Sequence, residues 1–309
     1  MKKALIIKSG AIGDLISVSP LIKEYKVLNP TESITLLCGK SCAHVLSPHP
    51  YLDGIITFND DSLYNDSFTT KVAETIKISR KISGFDKCFI LHIDQRWELL
   101  ADFAGIKEKY IVSREIENHQ ESYKRCLGLS GNLKSVFYPD SEYSVPFENY
   151  ICIAPGGARN IKNDDQCRRW AGFPTLVKRL LSETDFNIVI LGNEKDNLNI
   201  NNERIINLCG KTTLSEAYHI ICKANLFIGN DSGLLHLASC TQTNSIGIFT
   251  ATSPAVAFPL NTNIIPFTSR LNCSPCESYG NFSTDCNLKC TTSITPDNII
   301  KITKSLSDF

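Results

Sequence analysis

Short apolar runs alternate along the chain with segments in which apolar residues recur at helical spacing. Residues 3–7 form one such run, and residues 14–25 then place Leu15, Val18 and Leu21 on one face of a predicted helix. The strand pattern returns further along, and the polar residues 59–70 between two such segments predict a surface loop. Strands that alternate with helices favour a parallel, doubly wound α/β sheet.

A second alternation of the same kind begins at residue 151, after an irregular stretch that contains two prolines. A chain of 309 residues has the length of about two average domains. We therefore predict an α/β protein of two Rossmann-like domains that face a cleft. The N-terminal domain covers residues 1–148 and the C-terminal domain residues 149–309, and the last helix is free to pack back on the first domain.

Composition and charge narrow the class of protein only slightly. The formal net charge is zero and 42% of the residues are hydrophobic, so no global charge favours nucleic acid. Lys8 ends the first apolar run too early for a signal peptide, and no window approaches the ~18 apolar residues of a membrane helix. We expect a cytoplasmic protein, and peripheral contact with a membrane stays open.

Asp14 is the first candidate for chemistry. It ends a glycine-bearing turn, Ser9-Gly10-Ala11-Ile12-Gly13, that follows the first predicted strand. A carboxylate at the start of a helix caps unpaired N–H groups and complements the helix dipole. The same carboxylate serves as a general base when a substrate hydroxyl comes within hydrogen-bond reach. Both interpretations remain open on the residues alone.

A second glycine turn, Gly156-Gly157, follows the first strand of the C-terminal half, and Arg168 and Arg169 come shortly after it. Glycine lets backbone N–H groups approach a phosphate, and arginine offers planar paired donors to its oxygens. The alternative is an ordinary surface turn with two solvated arginines.

The run Asp231-Ser232-Gly233 lies between a predicted strand and a predicted helix, where unpaired N–H groups and the helix dipole favour a phosphate. Asp231 and Ser232 are also candidates for capping that helix. His236 follows one turn later, and a lone histidine on an apolar helix is otherwise a core residue. Glu194 lies in the turn after another predicted strand. It is either a carboxylate that accepts hydrogen bonds from ribose hydroxyls or a solvated loop residue.

Four of the thirteen cysteines cluster near the end of the chain, in the spacing C-x2-C-x9-C-x3-C. Paired cysteines on either side of a polar loop are typical of a structural zinc site, here formed by Cys273, Cys276, Cys286 and Cys290. The second spacing is longer than usual and no histidine lies nearby. Free thiols or a disulfide are the alternatives to a bound metal.

Taken together, these motifs resemble those of the heptosyltransferases, the ADP-heptose:lipopolysaccharide transferases of glycosyltransferase family 9. Residues 8–20 are similar to the family's serine-rich Gly-Asp loop and the proline after it. Gly156-Gly157 with Arg168-x-Trp170 resembles its glycine turn and Lys-x-Trp element, and residues 231–236 resemble its Asp-Thr-Gly-x-x-His signature. The resemblance extends over nearly the whole chain.

The resemblance implies a B-type glycosyltransferase fold and an inverting transfer that requires no metal. Asp14 would then be the general base on the acceptor hydroxyl. Arg168 would stand where the family has a phosphate-binding lysine, and a guanidinium binds as a fork rather than as a point charge. The donor would be ADP-heptose, and the acceptor a lipopolysaccharide core sugar (Kdo or heptose) or another surface glycan or protein.

The remaining donor-site roles also follow from the resemblance. Gly157, together with Ser232 and Gly233, would supply backbone donors to the leaving pyrophosphate. Asp231 would hold hydroxyls of the donor sugar, Glu194 would hold the ribose, and His236 would belong to the same donor site through the shared signature.

Two other functions remain open on the sequence. One is a nucleotide-sugar-binding protein that has lost turnover, which the presence of Asp14 disfavours. The other is a sugar-nucleotide epimerase of similar fold, which would place acid–base residues in the cleft of the second domain rather than at the Gly13-Asp14 turn.

Overall fold

Two compact units make up the chain in the computed structural model, which describes residues 1–113, 118–157, 166–258, 262–276 and 287–306. The first unit is Met1–Tyr138, and the described residues from Pro139 onward form the second. Each unit contains one parallel β-sheet and its own apolar core. The predicted pair of parallel-sheet α/β domains is therefore confirmed.

The first unit contains five strands and five α-helices among its described residues. Its strands are β1 (Lys3–Ile7), β2 (Ser33–Gly39), β3 (Gly54–Phe58), β4 (Lys87–Ile90) and β5 (Glu108–Ile111). Its helices are α1 (Ile12–Leu28), α2 (Asp60–Tyr64), α3 (Phe68–Lys81), α4 (Arg96–Phe103) and α5 (His119–Cys126).

The second unit contains six strands and six α-helices among its described residues. Its strands are β6 (Tyr150–Ala154), β7 (Asn187–Ile190), β8 (Ile205–Asn207), β9 (Leu226–Asn230), β10 (Ser245–Phe249) and β11 (Ile264–Thr268). Its helices are α6 (Phe173–Glu183), α7 (Leu214–Lys223), α8 (Gly233–Ala238), α9 (Pro254–Ala257), α10 (Cys290–Ser293) and α11 (Pro296–Leu306).

Strand order reverses once in each sheet, and this reversal positions the candidate residues. The first sheet has the order β3-β2-β1-β4-β5, and the second has the order β11-β10-β9-β6-β7-β8. Connections leave in opposite directions after β1 and β4, and again after β6 and β9. The loops at the carboxyl ends of these strands diverge, which is where open α/β sheets bind ligands.

The apolar pattern explains why the elements pack as they do. The α1 residues Leu15, Val18 and Leu21, predicted to share one face, are fully buried. In the second unit α6 contributes Leu176 to a core that also contains Ile299 of α11. The last helix therefore packs on α6 within the second unit. The helices of the described part of the chain are all too short or too polar to cross a bilayer.

The prediction of a surface loop over residues 59–70 is wrong, because two helices occupy most of that segment. Asn59 accepts a hydrogen bond from the N–H of Ser62 at the start of α2. Ser67 accepts one from the N–H of Thr70 at the start of α3. Asparagine and serine are preferred N-cap residues, so the polar signal came from helix starts rather than from a loop.

Helix α7 begins with a complete capping box. The hydroxyl of Thr213 accepts the N–H of Glu216 at 3.2 Å, and the Glu216 carboxylate accepts the N–H of Thr213 at 2.7 Å. The two side chains thus satisfy two backbone donors that the helix itself cannot pair.

Thr213→Ala should lower the free energy of unfolding of the second unit by about 1 kcal/mol, because the N-cap acceptor is lost. Thr213→Ser keeps that oxygen and should cost much less. Urea unfolding followed by circular dichroism measures both variants. Equal stability of the two variants would contradict the capping role.

Candidate active site

Asp14 lies in the first turn of α1, and its side chain is 32% exposed. Its Oδ2 accepts the N–H of Ala11 at 2.9 Å, so the predicted capping contact exists. The same oxygen lies 3.2 Å from Nζ of Lys8, the residue that follows β1. The carboxylate is thus held at the carboxyl end of β1 from two directions.

Lys8 is buried beneath this carboxylate. Its Nζ donates to the hydroxyl of Tyr123 on α5 at 2.9 Å and lies 5.0 Å from the centre of that ring. Burial alone would lower the pKa of Lys8, but the Asp14 charge and the Tyr123 hydroxyl raise it above its ordinary value. The lysine is therefore charged at neutral pH, and it needs Asp14 because a buried cation without a partner is costly.

The electrostatics of Asp14 follow from these neighbours. Burial would raise the pKa of its carboxyl group, but the positive charge of Lys8 lowers it, with smaller effects of His119 and His92 and of the Ala11 N–H. Asp14 is consequently ionised at neutral pH.

His92 brings the neighbouring loop to the same place. It comes just after β4, the strand beside β1, and its Nε2 lies 2.8 Å from the hydroxyl of Ser9. Ser9 belongs to the loop between β1 and α1. The carboxyl ends of β1 and β4 are the point where the strand order of the first sheet reverses. A hydroxyl, an imidazole and a carboxylate thus lie on the loops at this reversal, where open α/β sheets bind ligands.

In the second unit the structure joins Arg168 and Asp231, which sequence reasoning treated separately. Arg168 Nη2 donates to Asp231 Oδ2 at 2.5 Å, and the hydroxyl of Thr252 donates to the same oxygen at 2.8 Å. Asp231 is only 2% exposed. Burial would raise the pKa of its carboxyl group, but Arg168 lowers it, followed by His236 and the Thr252 hydrogen bond.

Asn230, the last residue of β9, ties this pair to the glycine turn. It is fully buried, and its Nδ2 donates to the carbonyl oxygens of Pro155 at 2.6 Å and Gly156 at 3.1 Å. Its Oδ1 accepts the N–H of Trp170 at 3.1 Å. One amide therefore fixes the loop after β6 and the segment that carries Arg168.

Gly157 lies against Ser232 because no side chain separates them. Its φ is +115°, and a Cβ built there would stand 2.7 Å from Cβ of Ser232. Only glycine accommodates both the left-handed backbone and this approach. Residues that follow β6 and β9 meet here, where the strand order of the second sheet reverses.

Gly156 is constrained by a different neighbour, because a Cβ there would overlap the carboxylate of Asp196. Asp196 lies in the short 3₁₀ turn Glu194–Asp196 after β7 and accepts the N–H of Asn193 at 2.9 Å. Glu194 itself is exposed, and a Cβ at Gly210, after β8, would overlap its Cγ. The predicted ribose-binding residue thus lies at the carboxyl ends of β7 and β8.

The turn into α8 differs from the simple cap considered from sequence. Ser232 occupies the N-cap position, but its side chain makes no capping hydrogen bond, and α8 starts at Gly233. The side chain of Asp231 is turned to Arg168 instead of the helix. His236 is buried, with its ring 4.5 Å from that of Phe258.

The predicted zinc site is not assembled by the described residues, among which no group of three or more metal-binding side chains forms. Cys273 is exposed, whereas Cys290 is buried and its thiol lies 3.8 Å from the carbonyl oxygen of Cys167. Cys286 lies outside the described residues. The four-cysteine site therefore stays a prediction.

Five residues that sequence reasoning did not single out complete the two sites: Lys8, His92, Tyr123, Asn230 and Thr252. Two of them carried a usable signal, since Lys8 and Asn230 stand next to the ends of predicted strands. Tyr123 and Thr252 are brought in by tertiary packing alone.

Replacing Asp231 by Asn should destabilise the second unit by about 3 kcal/mol at pH 7, because Arg168 loses a buried partner. The pKa of Asp231 is lower in the folded protein than in the unfolded chain, where it is about 4. The stabilisation that the ionised Asp231 provides is therefore fully present above about pH 4 and is lost as the pH falls through the pKa of the folded state. The difference in free energy of unfolding between wild type and variant should therefore shrink in acid.

Urea unfolding at pH 7 and pH 3 measures this difference. Asp297→Asn serves as the control. Asp297 pairs with Arg179, but its side chain is 74% exposed, so this substitution should change the free energy of unfolding little at either pH. A difference for Asp231→Asn that does not vary with pH would contradict the assignment.

Several known proteins are similar to this chain in sequence or in fold. Lipopolysaccharide heptosyltransferase 3 of Escherichia coli is 22% identical over 297 residues, which cover 82% of this chain and 85% of that protein. The structure of E. coli ADP-heptose lipopolysaccharide heptosyltransferase II has a TM-score of 0.72 at 18% identity, covering 99% of this chain and 98% of the other.

A third similar protein is the dodecameric, iron-containing heptosyltransferase TibC from enterotoxigenic E. coli, solved with ADP-D-β-D-heptose. Its TM-score is 0.65 at 17% identity, and the match covers 99% of this chain and 76% of the other. These likenesses confirm the B-type glycosyltransferase fold. Residues 79–286, more than half of the chain, match the sequence profile of glycosyltransferase family 9 (heptosyltransferase). The chain therefore belongs to glycosyltransferase family 9, the heptosyltransferases.

Proposed function

We propose that this protein transfers heptose from ADP-heptose to a core sugar of lipopolysaccharide, with inversion at the anomeric carbon. The observation that carries the proposal is the Arg168–Asp231 pair beside Gly157, at the strand-order reversal of the second sheet. Similar proteins named for ADP-heptose and lipopolysaccharide support the choice of substrates.

The donor is assigned to the second unit. The Arg168 guanidinium, oriented by Asp231, binds the pyrophosphate in this proposal. Backbone N–H groups of Gly157 and of the turn Ser232-Gly233 face the same oxygens in this proposal, and they stabilise the charge that develops as ADP leaves. The carboxylate of Asp231 also accepts a hydrogen bond from a hydroxyl of the donor sugar.

Two further residues complete the donor site. Glu194, exposed at the carboxyl end of β7, accepts the ribose hydroxyls of the nucleotide. His236, buried in α8 one turn after Ser232, is assigned to the same donor site.

The acceptor is assigned to the first unit, where Asp14 is the general base. The acceptor oxygen attacks the anomeric carbon from the face opposite ADP, and its proton passes to the Asp14 carboxylate. The bond between that carbon and the β-phosphate oxygen breaks, and its electron pair leaves with ADP. Attack from the opposite face inverts the configuration.

Metal ions are not part of this proposed mechanism. The Arg168 guanidinium and the backbone donors supply the positive charge that a divalent cation would otherwise bring to the leaving group. The iron of TibC belongs to that protein and makes a direct test worthwhile.

The acceptor class also implies a location. Lipopolysaccharide is anchored in a membrane, so we place the protein at the cytoplasmic face of the inner membrane as a peripheral protein. The acceptor sugar is a Kdo or a heptose of the inner core.

Asp14→Asn should lower the rate of transfer by at least about a hundredfold, because the proton acceptor is lost, while ADP affinity stays nearly unchanged. Release of ADP from ADP-heptose in the presence of heptose-deficient lipopolysaccharide measures the rate, and calorimetry measures ADP binding. A fully active variant would leave capping as the only role of Asp14. No ADP release by the wild type would favour a binding protein without turnover.

Asp53→Asn provides a matched control for that substitution. Asp53 Oδ2 accepts the N–H of Ile34 at 2.8 Å and pairs with Lys26 at 3.0 Å, and its side chain is 41% exposed. It therefore makes the same two kinds of contact as Asp14, away from the strand-order reversal. This variant should retain normal transfer.

Removing metal ions should leave transfer unchanged, because no step depends on one. The protein is dialysed against a chelator, its metal content is measured, and transfer is compared before and after. Loss of activity that added iron or zinc restores would refute metal independence. Metal content of the double variant Cys273→Ser, Cys276→Ser tests the cysteine cluster separately.

A further inference from the structure

Helix α3 exposes a stripe of large apolar side chains. Phe68, Val72 and Ile76 are 81%, 40% and 46% exposed. Their spacing of four residues places them on one face of the helix. The opposite face is buried through Ile78 and Glu74, so α3 is packed on one side and apolar toward solvent on the other.

The helix packed against α3 continues this character. Leu99 and Phe103 of α4 are 55% and 77% exposed, again four residues apart. Among the described residues, all the strongly exposed large apolar side chains belong to the first unit. Exposed apolar residues concentrated in one region mark an interaction surface more often than scattered ones do.

Charge distinguishes among the surfaces that α3 could meet. The helix carries Lys71, Lys77, Arg80 and Lys81 against a single acidic residue, Glu74, in a chain whose net charge is zero. Glu74 is directed inward, where it accepts the N–H of Asn59 at 3.0 Å and lies 3.5 Å from Nζ of Lys77, while Lys81 donates to the carbonyl oxygen of Thr57. Lys71 and Arg80 are therefore the basic residues that flank the apolar stripe. The exposed Asp61 and Asp66 precede the helix rather than lie on it.

We propose that α3 docks the protein on an anionic lipid surface, with Phe68, Val72 and Ile76 in the acyl boundary and the basic residues at the phosphates. Apolar residues on one face with lysine and arginine around them are the features of helices that lie in a bilayer interface. Anionic headgroups complement the excess positive charge of α3.

A second copy of the chain fits this face less well. In a symmetric dimer built on α3, the same helix meets itself, and the flanking Lys71 and Arg80 of the two copies would be brought close together. Like charges across an interface oppose association. The lipid surface therefore explains both the apolar stripe and the basic residues.

The proposal deepens the peripheral location given above, and it is tested without substrate so that it stands or fails independently of the transfer reaction. Co-sedimentation with vesicles of equal parts phosphatidylglycerol and phosphatidylethanolamine should capture the wild type. The triple variant Phe68→Ser, Val72→Ser, Ile76→Ser should bind at least about tenfold more weakly. Vesicles of phosphatidylcholine alone should bind the wild type weakly.

A matched control removes exposed apolar residues elsewhere in the same unit. Val27 and Leu28, at the end of α1, are 57% and 60% exposed. Val27→Ser with Leu28→Ser should bind the vesicles as the wild type does. Equal loss in both sets of variants would refute a specific role of α3, and circular dichroism verifies that each variant is folded.

The basic residues are tested by Lys71→Gln and Arg80→Gln together, since Lys77 is paired with Glu74. Because each charge near an anionic surface contributes about fivefold in binding, the double change should weaken capture on the order of twentyfold. Capture that is insensitive to this change and to salt would overturn the electrostatic part of the proposal.

Two measurements separate insertion from protein association. Tryptophan emission of Phe68→Trp should shift to shorter wavelengths on vesicle addition, whereas that of Val27→Trp should not. Sedimentation of the free protein should show the same mass for wild type and the apolar triple variant. A wild-type dimer abolished by that variant, without vesicle capture, would instead assign the face to a second copy.

Discussion

The site in the second unit depends on one constraint: a carboxylate almost excluded from water must have a positive partner. Asp231 meets this constraint with Arg168 and with the hydroxyl of Thr252. An ion pair of this kind stabilises the fold little relative to apolar packing, but it fixes where the guanidinium stands. In the proposed donor site, an arginine held in advance loses less rotational freedom when the phosphate arrives. The chain thus uses the buried charge to orient Arg168 rather than to strengthen its core.

The order of strands and helices was predictable because each sheet is parallel and its central strands are buried on both faces. Its strands therefore appear as short apolar runs, and its helices as periodic segments. Failures occurred where a local signal had two meanings. The cap residues Asn59 and Ser67 looked like loop residues. The edge strand β11 was not predicted, because it contains Pro266, a residue that weakens the strand pattern although an edge strand tolerates it. In both cases tertiary packing decides between the two meanings.

The candidate sites were predictable to the extent that they follow strand ends. Asp14, Gly157 and Asp231 could be named because a carboxylate or a glycine in the turn that follows an apolar run is visible in the sequence. Their partners could not. The pairing of Arg168 with Asp231 spans 63 residues, and that of Lys8 with Tyr123 spans 115. No residue pattern encodes such contacts, since they arise only when the sheet brings separate loops to one edge.

The positive charge of Lys8 affects how strong a base the Asp14 carboxylate is. A cation that lowers the pKa of a carboxyl group also makes the carboxylate a weaker base. An isolated sugar hydroxyl is far too weak an acid to give its proton to such a group. Its acidity rises steeply, however, once its oxygen has begun to bond to the anomeric carbon and carries positive charge. A weak base that is always ionised then suffices, provided that it is already in place. Lys8 and the Ala11 N–H hold Asp14 in place, so the helix-capping contact is compatible with the proposed role of the same carboxylate as the proton acceptor.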